Sequence, residues 1–562
     1  MSTAPPPLRD ASSTSSVHDV ADPYLRAAET FPTLSAAMAE RIAGYGRGED
    51  VVDGDILFAR GQRRVDFFLV VSGAIEILAT EPSGALRIVT VHLPRQFTGE
   101  TDLFNERAVL VTARAAGVGR VVRIRHADFR RLVAAEPDIA IFLIRALILR
   151  RVGVLHHAEG GVVLIGPRRA ADTLRLQRFM RANAYPHRLV DTDTETTAVA
   201  ALDAGLCRLP IVVVPDRALL QNPSTAELAD ALGLIETLDS DVVHDVVVVG
   251  AGPAGLATAV YAASEGLDTL VLESTAPGGQ AGTSSRIENY LGFPTGISGH
   301  ALAGRAQSQA QKFGAKLGIA RAVVGLDCTA RPYALTLDDG TVVRARTVVV
   351  ATGARYRTLR LRDASRYDGQ GLHYAATAME AQLCCGTEVG IVGGGNSAGQ
   401  AAVFLSRHAC HVHLFVRGDG LARTMSDYLV RRIERSSTIT VHVGCEVTAL
   451  EGDPYLQTIA VTDRDAATRR FPIANLFLMI GADPNTEWLR GCLALDAGGF
   501  VVTGQGAAGT VGASPFATSS PGVFAVGDVR AGSVKRVASG VGEGSVVVQT
   551  LHRHLEEAAA RP

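Results

Sequence analysis

At 562 residues the chain is too long for one hydrophobic core, which stops growing near about 250–300 residues, so roughly three to five structural units are expected. Apolar residues make up 47% and charged residues 20%, with 58 glycines and one tryptophan, which excludes a disordered or fibrous chain and fits glycine-rich α/β domains. The formal net charge of −2 gives no electrostatic basis for binding nucleic acid or an anionic membrane, since either needs Lys and Arg clustered on one face.

Residues 1–40 open with MSTAPPPLRDASSTSSVHDVADPY, rich in Pro, Ser and Ala and without an apolar segment, and read as a disordered leader and not a signal peptide. A cytoplasmic location is expected. Over 41–157, the stretches GDILFARG, DFFLVVSGAIEIL, LRIVTVHL and GRVVRIR, punctuated by Gly54, Gly61, Gly73 and Gly84, predict an antiparallel β-roll closed by a helical stretch at 128–157. In the third of these Val89, Val91 and Leu93 alternate with Ile88, Thr90 and His92. The most lipid-like run, 139–155, is interrupted by Arg145, Arg150 and Arg151 and is too short to span a bilayer, so an amphipathic helix is predicted.

Residues 161–236 read as a compact βαβαβ unit: GVVLIG, a helix near 170–183, HRLVDTD, a helix near 195–204 and RLPIVVVPD, ending in STAELADALGL. From 243 onward strands and helices alternate around two glycine-rich turns, which implies two doubly wound parallel sheets of Rossmann type. Their spans are 243–359 with 481–562 for one, and 360–480, inserted in it, for the other. The seven cysteines, Cys207, Cys328, Cys384, Cys385, Cys410, Cys445 and Cys492, form no CxxC and no metal-ligand spacing, which suits a reducing compartment without structural disulfides or metal.

A lone GxGxxG carries little weight, since about 0.6 matches arise by chance in a chain this rich in glycine, and the context decides. In DVVVVGAGPAGLATAVYAASEG the apolar strand Val246–Val249 leads into Gly250, Gly252, Pro253, Ala254 and Gly255 and then a helix-forming run. The glycines let backbone N–H groups approach a pyrophosphate at the helix N-terminus, where the peptide dipoles favour negative charge. At the end of the next strand Glu273, 23 residues past Gly250, can accept hydrogen bonds from ribose hydroxyls. The second turn, VGIVGGGNSAGQAAVFLSRH, places Gly393, Gly395, Asn396, Ser397 and Ala398 after a strand. The residue 23 past Gly393 is Val416, followed by Arg417 and, six further on, Arg423. Loss of the acid and gain of arginine suit a 2′-phosphate and favour NADPH over NADH.

These residues resemble the thioredoxin reductase family of FAD- and NADPH-binding flavoproteins over about 244–556, with PGGQAG (277–282), IENYLGFP (287–294), ATGA (351–354), IGADPNT (480–486), GVFAVGDV (522–529) and KRVASGVGEG (535–544) as further motifs in order. The resemblance implies flavin contacts from Gly279, Gln280, Asn289, Thr352 and Gly353. It also implies that Gly527 and Asp528 meet the ribityl chain and that Arg536, Val537 and Ala538 meet the ring edge. A helix beginning near Gly542 could aim its positive end at that edge. Hinges near Leu359–Arg362 and Gly481–Asn485 would allow one nucleotide domain to rotate against the other, and a homodimer is implied.

The family carries a redox pair in a Tyr-Cys-x-x-Cys segment ahead of the second turn, and here the aligned residues are Tyr374, Ala375, Ala376, Thr377 and Ala378. An alanine methyl cannot attack a disulfide, so no dithiol relay runs through these positions. Cys384 and Cys385 follow six or more residues later, read either as a bland surface pair or as a vicinal redox pair. This departure also resembles flavoprotein ferredoxin–NADP reductases built on the same scaffold, where electrons leave the flavin directly.

Residues 50–157 resemble a cyclic nucleotide-binding domain, with FTGETDLFNERAVLVTARA (97–115) in place of its phosphate-binding cassette. Gly99 and Glu100 would meet the cyclic phosphate and ribose; the cassette arginine aligns with Val109, and Arg107 lies two residues earlier. The roll either binds a cyclic nucleotide or serves as a ligand-free docking module. Residues 161–236 look like a thioredoxin fold without its CxxC, with Leu209-Pro210 at the cis-proline turn.

The expected function is that of an FAD-dependent oxidoreductase taking electrons from NADPH and passing them to an acceptor such as a disulfide protein, a ferredoxin-like protein, a quinone or oxygen. A non-catalytic nucleotide sensor and a disulfide reductase with thiols from elsewhere are the alternatives.

Overall fold

The computed structural model describes residues 23–80, 85–99, 108–157, 161–194, 208–214, 219–236, 238–284, 287–361, 364–368, 370–453, 455–505 and 514–560. The chain forms two units, one drawn from the first 160 residues and one that includes all of Gly161–Pro562.

In the first unit the long strands Phe67–Thr80 and Val111–Ile124 pair antiparallel and carry the rest of the roll. Arg47–Val51 adds outside Val111–Ile124, and Leu86–His92 outside Phe67–Thr80. Phe58, Phe68, Val70, Ile75, Val109 and Val121 fill the interior. The alternation read in Leu86–His92 does not carry through. Its register shifts opposite Ile77 and Leu78, and this bulge leaves both Ile88 and Val91 exposed while His92 is buried.

The predicted helical closure is two helices, His126–Ala135 and Pro137–His156. The second buries Ile139, Leu143, Ala146 and Leu147 and exposes Ile141, Phe142 and Ile148. Arg150, read as a charged interruption, is instead buried. Its Nε donates to the Thr30 carbonyl at 2.8 Å and its Nη1 to the Phe97 carbonyl at 3.0 Å, and its guanidinium lies over the Phe31 and Phe97 rings. Among the described residues no helix is long and apolar enough to cross a membrane.

In the second unit, Val162–Gly166 is flanked by His187–Asp191, parallel, and Ile211–Val213, antiparallel, with Leu220–Gln221 at the edge and the helices Ala171–Ala182 and Thr225–Ala231 alongside. The third strand therefore runs against the first, and this region is not an all-parallel βαβαβ unit. The helix expected near 195–204 lies outside the described residues. Leu209–Pro210 is cis.

The next sheet runs Lys316–Ile319, Thr269–Glu273, Val243–Val249, Val342–Val350, with Val523–Ala525 beyond, all parallel. Tyr333–Leu337 and Val323–Asp327 extend it as an antiparallel meander. Its strands are nearly continuous Val and Leu because helices or meander cover both faces. A third sheet, Leu372–His373, Leu476–Leu478, Glu388–Val392, His411–Val416 and Ile439–Val443, is parallel throughout. The two are joined by an antiparallel ribbon of Ala354–Tyr356 with Ala482–Pro484, close to the expected crossing points.

Cys328 and Cys492 are joined as a disulfide, their Cα atoms 5.7 Å apart, which corrects the expectation of a chain without disulfides. Separated by 164 residues, they looked unrelated in sequence; the meander and the return segment after the ribbon bring them together against one core. Peptide mapping without reductant should recover one cross-linked pair carrying Cys328 and Cys492, while Cys385 alkylates freely. The double variant Cys328→Ser/Cys492→Ser should lose about 2–4 kcal/mol of stability in denaturant titration.

Candidate functional site

The first turn is built by close approach. Strand Val243–Val249 ends at Gly250, whose φ of +104° favours glycine, and a Cβ there would overlap the Ala351 carbonyl oxygen. A Cβ on Gly255, in the first turn of helix Pro253–Ser264, would overlap the carbonyl oxygen of Gly250 itself. Gly252 caps that helix without any side-chain cap, so the first-turn amides are left for an anion. Ala254 is buried beneath the turn. Gly279 folds back so that a Cβ on it would stand 3.0 Å from the Gly252 Cα.

Around this turn the expected residues gather, with one exception. Glu273 accepts the Ala251 N–H at 2.8 Å and the Thr275 N–H at 2.9 Å; burial pushes its carboxyl above the ordinary value against the pull of those amides. The Gln280 side chain donates to the Ala354 carbonyl. Thr352 donates to the Asn485 carbonyl at 2.8 Å, and the Asn485 N–H returns to Gly353 at 3.1 Å. Asn289 is exposed, and no hydrogen bond among the described residues ties it to this cluster.

Asp528 is half-buried in the turn Gly527–Val529, and burial raises its carboxyl. The neighbouring Gly527 N–H is taken by Glu543 at 2.6 Å, but Asp528 has no hydrogen-bond partner among the described residues. An acceptor left open in this way fits a polyhydroxyl chain. The helix after it begins at Val537, not near Gly542 as read from sequence, and Arg536 caps it with no side-chain bond. Its glycines serve packing: a Cβ on Gly544 would overlap the Ala254 carbonyl oxygen. Its free first-turn amides are therefore those of Val537, Ala538 and the residue after. Together the glycine cradle, the open carboxylate and two uncapped helix starts fit FAD.

The second turn repeats the geometry. Gly393 has φ +143°, and a Cβ would overlap the Met479 carbonyl oxygen; Gly395 caps helix Asn396–Leu405 without a side-chain cap. Asn396 is turned inward to accept the Ser426 N–H at 2.7 Å, and Thr424 donates to the Gly394 carbonyl at 2.7 Å, so the 421–426 loop folds over the turn. Ser397 is exposed and Ala398 buried. Arg417 and Arg423 are both exposed past strand His411–Val416, and the nearest acid to Arg417, Glu446, stands 3.8 Å off. A weak exposed pair of this kind leaves the guanidinium available.

The segment aligned with the family's thiols is occupied by a polar network that the sequence reading missed. The Tyr374 hydroxyl donates to Asp368 at 2.5 Å, and burial together with that carboxylate pushes the phenol up. Thr377 donates its N–H to Glu380 at 3.1 Å and its hydroxyl to the same oxygen, opening helix Ala378–Leu383. Glu380 is 2% exposed and paired with Arg178 at 3.1 Å. Burial works against its charge, but Arg178 and the Thr377 hydroxyl hold its carboxyl below the ordinary value. His373, against Asn475 at 3.0 Å, is driven down to about 4 by burial. The legible signal was the spacing Thr377-x-x-Glu380, that of a capping box, of which the Glu380 side chain to Thr377 N–H half is formed. Cys384 is fully buried and its thiol is pushed up to about 12 by burial, which corrects the surface reading for it; Cys385 is exposed as expected, and neither is paired.

In the roll, Gly99 is described, whereas Glu100 and Arg107 lie outside the described residues. Val109, aligned with the cassette arginine, is 1% exposed inside the core. No group of three metal-ligating side chains occurs among the described residues.

Comparison with known proteins agrees with this geometry. The family described as pyridine nucleotide-disulphide oxidoreductase matches residues 244–544, and the cyclic nucleotide-binding domain matches 49–136. Thioredoxin reductase of Streptomyces clavuligerus is 33% identical over 318 residues, covering 56% of this chain and 94% of that protein. NADPH-dependent thioredoxin reductase 3 of Arabidopsis thaliana is 31% identical over 357 residues, covering 60% of this chain and 65% of that protein. Among solved structures, Lactococcus lactis thioredoxin reductase in its FR conformation superposes with a TM-score of 0.52 at 26% identity, covering 56% of this chain and 99% of that one. The T. acidophilum enzyme gives 0.51 at 29%, covering 55% and 98%. Matched over more than half its length, the chain belongs to the pyridine nucleotide-disulphide oxidoreductase family, as a thioredoxin reductase-like member with a cyclic nucleotide-binding domain on its N-terminal side.

Proposed function

We propose that this chain oxidises NADPH through bound FAD and delivers the electrons to an acceptor without an internal dithiol. The observation that carries this reading is the pairing of two glycine-built dinucleotide turns with a sulfur-free 375–378 segment sealed by Thr377 and Glu380. Bound FAD would supply the two-electron acceptor for a nicotinamide hydride.

The chain's own residues bind and orient. The amides at the starts of helices Pro253–Ser264 and Val537–Ala559 face negative charge, and Asp528 accepts from hydroxyls. Arg417 and Arg423, with Val416 in place of an acid, favour a 2′-phosphate. The buried, raised thiol of Cys384 speaks against thiol exchange there, because the thiolate is the nucleophile. The 161–236 region is best read as a thioredoxin-type fold that docks and does not exchange thiols: its sheet has the mixed order described above, and Arg168 and Arg169 stand before the helix where a CxxC would sit.

Anaerobic NADPH titration should bleach the visible flavin band, and the double variant Cys384→Ser/Cys385→Ser should bleach and turn over as the parent does. A yellow protein that NADPH leaves unbleached would point to the sensor reading. Arg417→Gln/Arg423→Gln should raise KM for NADPH about tenfold or more and leave the kinetics with NADH unchanged. Gly255→Ala should yield protein that retains no flavin, read as the loss of 450 nm absorbance relative to 280 nm.

A further inference from the structure

Arg178 of helix Ala171–Ala182 pairs with Glu380 of helix Ala378–Leu383 at 3.1 Å. Beside this pair is a cavity of about 160 Å³, roughly ten times what a single water needs. Gln177 and Arg181, with Leu174, come from one stripe of the first helix; Arg168 and His187 flank them, and Gln382 closes the opposite wall.

No carboxylate lines this cavity. Of the acids nearby, Asp191 pairs with the lining Arg168 at 3.3 Å, so that guanidinium is already countered, and Glu380 pairs with Arg178 at 3.1 Å. Arg181 is exposed at the rim of this hollow and has no hydrogen-bond partner among the described residues. Partial burial pulls it below its ordinary value, with Glu380 acting the other way. His187 adds a second demand. Its Nδ1 lies 3.0 Å from the Tyr185 carbonyl, which can only accept, so the proton sits on Nδ1 and the neutral ring offers Nε2 as an acceptor.

We propose that this cavity binds a small oxyanion that also carries an O–H donor, in the class of monohydrogen phosphate or a hydroxycarboxylate, and that the bound anion bridges helix Ala171–Ala182 to helix Ala378–Leu383. The Arg181 guanidinium takes the charged oxygens, His187 takes the donor, and the amides of Gln177 and Gln382 serve either role. Occupancy would tighten the 161–236 region onto the segment that replaces the family's thiols, so the site is an effector site for that segment and is independent of which acceptor takes the electrons.

The test is calorimetric titration of protein saturated with FAD and NADP+, which fills the other anion sites, using inorganic phosphate, malate and succinate as probes. Phosphate or malate should bind, and succinate, which lacks the hydroxyl, should bind at least about tenfold more weakly. Arg181→Gln and, from the opposite wall, Gln382→Glu should each weaken binding by about tenfold or more with flavin content unchanged. The bound probe should slow amide exchange across 378–383. Failure of both phosphate and malate to bind overturns the site, as does parent-like affinity in both variants. Equal affinity for succinate overturns the donor requirement.

Discussion

The constraint on which the rest depends is the contact between backbone atoms at Gly250, Gly255 and Ala351. The central strand and the helix that follows it must cross with no side chain between them, and a single methyl at either glycine has nowhere to go. That crossing sets the helix Pro253–Ser264 deep in the unit, with nearly all of its residues buried. Its neighbour Val537–Ala559 can then approach only through Gly544, where a Cβ would overlap the Ala254 carbonyl oxygen, while Gly540 lies at ordinary contact distance from Ala254. The alanine and glycine content of both helices follows from this closeness, since small residues are what allow two helices and a sheet to share so narrow a space. The uncapped amides at both helix starts are a by-product of the same geometry.

The parts of the molecule that obey this constraint were legible from the sequence, because a strand, a glycine turn and a helix leave a local record. The ribbon joining the two nucleotide domains was not read from the sequence, which placed the crossings near 359–362 and 481–485; its strands are Ala354–Tyr356 and Ala482–Pro484. Other features depend on partners distant in sequence and were not legible either. Arg178 and Glu380 are 202 residues apart, and Cys328 and Cys492 are 164 apart; no local pattern announces either meeting. Arg150 was misread because a charge in an apolar run looks like an exposed position, whereas here two carbonyls and two aromatic rings receive it. The start of the last helix was misplaced because glycines that permit close packing were taken for the loop before it.

Besides the ribbon, the two nucleotide domains share an ion pair among the described residues. Arg432 of one reaches Glu288 of the other at 3.4 Å, a partly exposed pair of small energetic weight. The 161–236 region touches both: Asn183 donates to the Thr275 carbonyl in the first domain at 3.1 Å, and Arg178 pairs with Glu380 in the second. Arg321 of the first domain also donates to the Glu236 carbonyl at 2.8 Å, just past that region's last helix. A rotation about the ribbon would have to break one of these sets. The 161–236 region is thus tied by polar contacts to each nucleotide domain.

The character of the sealed segment follows from the cost of burying Glu380. A carboxylate removed from water is tolerable only while Arg178 and the Thr377 hydroxyl satisfy it; losing Arg178 leaves an uncompensated charge, and losing the hydroxyl leaves one lone pair unmatched. A dithiol that shuttles electrons must be free to present its sulfur first to one partner and then to another, which requires a segment that opens at little cost. Here the same stretch is tied to a buried carboxylate, Glu380, that accepts from the Thr377 N–H and hydroxyl and pairs with the half-exposed Arg178 of a second fold. Cysteines placed at 375 and 378 would restore the sulfur and leave the Glu380 contacts that hold this stretch in place.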